Sequence, residues 1–107
     1  MAKYVSLLMF TDTGIKNLRK TTARAEAFAE RIESEGIKIL ATLWTVGQYD
    51  LVHIFEAEND VAAATFSYTL AALGNVRTNT MRAFDLEEMS GLVERVMTPY
   101  DLLRDGG

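Results

Sequence analysis

Residues 37–56 read IKILATLWTVGQYDLVHIFE, two β-favouring runs separated by Gly47-Gln48-Tyr49-Asp50. The first run, residues 37–46, is β-branched, aromatic and apolar. The second, residues 51–56, is similar. Glycine supplies backbone freedom in the link, and aspartate can hydrogen-bond its own backbone. Strands joined by so short a connection are antiparallel neighbours. This hairpin is the centre of the fold, and the rest of the chain is read outward from it.

Upstream, residues 25–32 place Ala25, Phe28, Ala29 and Ile32 at helical spacing, with Thr21 or Thr22 as the expected cap. Gly36 follows where a left-handed cap is wanted. Before this helix, Thr11-Asp12-Thr13-Gly14 ends a first strand, residues 4–10, and Asp12 or Thr13 caps a short turn. That first apolar run follows a lysine but lacks a small-residue cleavage site, so it reads as a strand and not as a leader. Downstream, Asn59 or Asp60 caps a second helix carrying Ala62, Ala63, Phe66, Leu70 and Leu73, which Gly74 ends. Residues 75–84 form a fourth strand. Residues 85–97 form a third amphipathic segment with Leu86, Met89, Leu92, Val93 and Val96 on one side, which Pro99 stops. The order is β-α-β-β-α-β plus a C-terminal helix: a ferredoxin-like α+β domain over residues 1–97 with a tail at 98–107.

Composition narrows the function. The chain has 107 residues, is 49% hydrophobic and carries a formal charge of −4. An acidic balance argues against nucleic acid, whose affinity comes mostly from basic surface. No run reaches the roughly 20 apolar residues that a membrane helix needs. The absence of cysteine removes disulfides, thiolate catalysis and thiolate metal sites, and suits a reducing cytoplasm. One histidine cannot make a two-histidine metal site. No phosphate loop or nucleophile elbow is present, so neither metal nor cofactor is expected.

Two helices can cover one face of a four-stranded sheet. Pairing Val46 with Leu51 sets Trp44 opposite His53 and Thr42 opposite Phe55. The helices are then expected to cover Ile39, Ala41, Leu43, Val52 and Ile54. Leu40, Trp44, Leu51 and Phe55 are left on the other side, too apolar for water. Either the C-terminal helix folds over that face or a second copy of the chain covers it.

The segments Gly47-Gln48-Tyr49-Asp50, YVSLLMFTDTGIKN (residues 4–17), LGNVRTNTMRAF (73–84) and EEM (87–89) together resemble the GYD domain family over about residues 3–90. The resemblance implies a ferredoxin-like domain related to dimeric α/β barrels, in which two subunits pack sheet to sheet. It implies no reaction and no catalytic set.

The candidate site residues are Trp44, Tyr49, Asp50, His53, Phe55 and Arg82. Tyr49 and Asp50 read first as turn residues and second as a donor and a carboxylate at a cleft. His53 has the right chemistry for a general base at neutral pH, but also suits a buried interface. Arg77 and Arg82 lie on opposite faces of one strand, and a sheltered arginine would pair with Asp50, Glu56 or Asp85. The leading expectation is a homo-oligomer holding a small apolar or aromatic metabolite between sheet and partner. Its alternatives are a cofactor-independent, monooxygenase-like enzyme with His53 as base and Arg82 as anion stabiliser, and a structural or regulatory oligomerisation module.

Overall fold

The computed structural model describes residues 1–104; residues 105–107, expected to fray, lie outside it. The order is β1 (Ala2–Phe10), α1 (Asp12–Lys16), α2 (Thr21–Ile32), β2 (Ile37–Trp44), β3 (Leu51–Ala57), α3 (Asp60–Ala72), β4 (Val76–Ala83), α4 (Leu86–Arg95) and α5 (Pro99–Leu103). The four strands form one antiparallel sheet in the order β2-β3-β1-β4, with α2 and α3 on one face. The ferredoxin-like α+β expectation holds.

The caps follow local chemistry. Asn59 Oδ1 accepts the Ala62 N–H at 2.9 Å and starts α3. Asp85 and Glu88 form a reciprocal capping box at α4. Thr11, rather than Asp12 or Thr13, caps α1 by accepting the Gly14 N–H. Thr21 does not cap α2; its hydroxyl accepts the Trp44 indole N–H instead, at 3.1 Å. Gly36 has φ +77°, the left-handed cap its position called for. Gly14 is required for a different reason: a Cβ there would lie 2.0 Å from the Asn75 carbonyl oxygen. Pro99 does more than stop α4, for it opens α5 behind Thr98 as cap.

The sheet faces are the reverse of the expectation. Trp44 pairs with Leu51 and Thr42 with His53, two residues displaced from the expected register. A bulge at Leu40 shifts the rest, so Ile39 pairs with Phe55. A two-residue displacement keeps Trp44, Leu51, His53 and Phe55 on one side. That side is the one the helices cover. Tyr4, Leu8, Leu51, Phe55 and Ala57 are buried there with Phe66 and Leu70 of α3, Ile32 of α2 and Ile37 of β2. Ala41, Leu43, Val52 and Ile54, expected in the core, form the open face. Ile39 alone of that set stays with the core, because the bulge turns it back.

The open face is aliphatic. Val5 lies between Ile54 and Met81, and Leu7 between Val52 and Asn79. Leu43 is 55% exposed, and Met9 and Met81 are 43% exposed. The C-terminal helix does not cover this face. Neither α4 nor α5 buries a residue, and Leu86, Met89, Val93, Val96 and Met97 are all exposed. The molecule is 61 Å long with a radius of gyration of 17.8 Å. A compact chain of this length would give about 13 Å.

Candidate functional site

Phe66 organises the covered core. Its ring lies 4.3 Å from Phe55, 5.5 Å from Phe28 and 5.8 Å from His53, and Phe55 stacks on Tyr4 at 5.3 Å. His53 is 4% exposed. Its Nδ1 is buried and has no hydrogen-bond partner among the described residues. Burial pushes the imidazole down to about 4, so it is neutral near pH 7. It borders a cavity of about 50 Å³ beneath α2, shared with Phe28 and Arg24. A general base needs reach to a substrate proton, and at 4% exposure His53 presents little surface for one.

The Gly-Gln-Tyr-Asp link is tied to β1. Asp50 Oδ2 accepts the Phe10 N–H at 2.8 Å, and the Asp50 N–H donates to the Leu8 carbonyl at 2.8 Å. Thr45 closes the loop, its hydroxyl donating to the Tyr49 carbonyl at 2.7 Å. Asp50 therefore continues the β1–β3 ladder beyond Leu51. Tyr49 turns the other way, and Asn79 Nδ2 donates to its hydroxyl at 3.4 Å. Of the six candidate residues, only Tyr49 reaches the open face. Trp44, His53 and Phe55 lie on the helix side, and Asp50 serves the backbone.

Arg82 ends β4 on the helix-covered side, while Arg77 belongs to the open-face set beside Met9. Arg82 Nη2 pairs with Glu88 Oε2 at 3.0 Å. Its Nη1 donates to the carbonyls of Lys3 and Ala83. The guanidinium lies 4.4 Å over the Phe84 ring. The carboxylate partner is thus Glu88, not one of the three expected. Lys3 pairs with Asp85 at 3.2 Å beside it, so two ion pairs fasten the first turn of α4 to the end of the sheet.

Sequence reasoning missed a groove of about 520 Å³ between α3 and β4. Tyr4, Asp60, Ser67, Thr78, Thr80 and Arg82 line it, and Arg77, on the open-face side of β4 by register, borders it around the outer edge of that strand. The Tyr4 hydroxyl donates to Asp60 Oδ1 at 2.6 Å, and that bond to the carboxylate raises the phenol's pKa. Ser6, Thr80 and Ser67 form a hydroxyl chain with steps of 3.0 and 2.7 Å. Ser67 donates onward to the Ala63 carbonyl at 3.2 Å. In each hydroxyl pair either oxygen can be the donor. The signal was present in the sequence: Ser6 is polar in an apolar strand, and Ser67 interrupts the alanines of α3.

Among the described residues no helix is long and apolar enough to cross a membrane, and no three His, Asp or Glu side chains are grouped to hold a metal ion.

A split β-α-β-β-α-β sheet with one bare aliphatic face defines a ferredoxin-like domain. The chain matches the GYD domain over residues 4–93 and belongs to that family. It is also similar to the glutamine synthetase and cystathionine beta-lyase binding protein of Thermus thermophilus. The two are 29% identical over 90 residues, which is 83% of this chain and 95% of the relative.

Proposed function

We propose that this protein is a self-associating, protein-binding module. The observation that carries the reading is the aliphatic open face of the sheet, bare of the chain's own C-terminal helices. Val5, Leu7, Val52, Ile54, Leu43 and Met81 make a continuous apolar surface of the kind that marks an interface. A second copy, related by a two-fold axis, offers a matching surface. The apolar stripe of α4 and α5 then has the partner to lie against. The Thermus relative is named for binding two enzymes, which supports enzymes as the further partners of this chain.

A metabolite held between the sheets is less well supplied than the sequence suggested. Of the groups meant to orient it, His53 is buried beneath the helices and the Trp44 indole donates to Thr21 on the helix side, and the open face offers mainly aliphatic chains. The further partner is accordingly read as protein.

Sedimentation equilibrium of the full chain at micromolar concentration should give a dimer or a higher even oligomer. Surface plasmon resonance should then detect binding to glutamine synthetase or cystathionine β-lyase from the same organism. A monomer at tens of micromolar would remove the self-association, and two flat binding traces would remove the enzyme partners.

A further inference from the structure

We propose that the groove between α3 and β4 receives an extended acidic segment of a partner protein, which adds to the sheet as a fifth strand. This rests on the protein-binding reading and names the mode of docking.

The two sheet edges are unlike. β2 is interrupted by the Leu40 bulge, a feature that blunts an edge. β4 runs without interruption through eight pairs with β1, from Lys3 opposite Ala83 to Phe10 opposite Val76. Its centre, Thr78-Asn79-Thr80-Met81, contains no proline, glycine or charge. Its outer side therefore presents a regular row of backbone donors and acceptors without a strand to meet them.

α3 forms the second wall. Ala63, Ala64, Ser67 and Ala71 border the groove with small side chains, leaving the volume of about 520 Å³ open beside the strand. Alternate side chains of an added strand would enter it, the arrangement by which sheet-edge addition gains specificity. The floor does not oppose this. Ser6, Thr80 and Ser67 already bond one another along their chain, so each keeps a hydrogen-bond partner when the groove is covered.

Charge sets the chemistry and the direction. Arg82 is held by Glu88 and by two carbonyls, and Asp60 sits with Tyr4 in the same groove. Arg77 makes no ion pair among the described residues. A carboxylate in the segment would be drawn to Arg77 and repelled by Asp60.

The test pans phage-displayed random nonapeptides against the full chain. Enriched peptides should alternate β-branched residues and carry Asp or Glu toward one end. Binding such a peptide should slow amide exchange along β4. Ala64→Trp fills the groove from an exposed helix position and should weaken binding at least ~10-fold at an unchanged melting temperature. Arg77→Glu should switch the selected charge to Lys or Arg. No enrichment, equal enrichment on Ala64→Trp, or protection on β2 or the open face in place of β4 would overturn the proposal. So would dissociation of self-assembled protein by Ala64→Trp, which would make the occupant a second copy. An intact oligomer without selected peptides removes the groove alone. Selected peptides on a monomer remove the self-association alone.

Discussion

Arg82 Nη2 and Glu88 Oε2, 3.0 Å apart, join the last turn of the sheet to the first turn of the C-terminal arm. Glu88 also accepts the Asp85 N–H at 3.2 Å, so one carboxylate serves both the ion pair and the helix cap. The Arg82 guanidinium beside it, with the capping bonds to Asp85, holds its carboxyl below the usual glutamate value. A depressed carboxyl stabilises the fold above its ordinary pKa and loses that contribution as pH falls through the depressed one.

The root of α4 should therefore loosen in acid below the ordinary glutamate range. Glu88→Gln should reproduce the loosening at neutral pH. Amide exchange at residues 86–90 reads both, and the melting temperature should move little because the pair is exposed. Unchanged exchange in Glu88→Gln would show that the Asp85 cap alone anchors the arm.

His53 gives a second pH dependence, of opposite origin. Its folded value is lowered to about 4 from an ordinary 6.5. Above pH 6.5 both states are neutral and the histidine adds no pH dependence. Between 6.5 and 4 only the unfolded chain takes up the proton, so stability falls as pH falls. The full loss is about 3 kcal/mol at 1.36 kcal/mol per unit. Arg24, the charged side chain on the same cavity, does not favour a second cation there. Urea titrations from pH 7.5 to 4 should show the decline, and His53→Leu should flatten it. An equally steep decline in His53→Leu would assign it elsewhere.

Asp50 is predicted to be a structural residue of the GYD segment. Asp50→Ala leaves the Phe10 N–H without its acceptor, a loss of about 1–3 kcal/mol for a sheltered donor. Denaturant unfolding should show this, and two-dimensional NMR should show shifts at residues 8–10 and 45–51. Unaltered stability would free the carboxylate for a direct role in binding.

The open face can be separated from the core by substitution. Val52→Lys, and in a second variant Leu43→Lys, should shift the protein toward monomer in sedimentation while the monomer stays folded by circular dichroism. The substituted residues lie outside the core cluster, whereas Phe66→Ala within it should cost about 3–5 kcal/mol. A lysine at Val52 that left the oligomer intact would move the interface elsewhere, with the arm as the next candidate.

Much of the fold was legible locally. Helical spacing in α2 and α3, the caps at Asn59 and Gly36, and the Gly47–Asp50 link each reflect forces acting over a few residues. The register was less legible, because the link takes in residues 45–50, which displaces the pairing by two, and because the Leu40 bulge has no mark in an evenly apolar strand. The candidate site suffered most. Trp44, His53 and Phe55 were grouped correctly on one side of the sheet and then assigned to the wrong side. The groove, made by residues from β1, α3 and β4, was not visible as a unit.

The sequence alone determined the order of elements, their approximate ends and the presence of two apolar sheet faces, because period and capping are local properties. Only the tertiary structure decided which face the helices cover. Both were greasy enough, and the helices cover the aromatic one, where His53 and Phe55 pack against Phe66 and Tyr4 stacks on Phe55, leaving the aliphatic set bare. It likewise decided that the last helices stand clear of the domain, since an amphipathic stripe states that a partner surface is needed and not where that surface is.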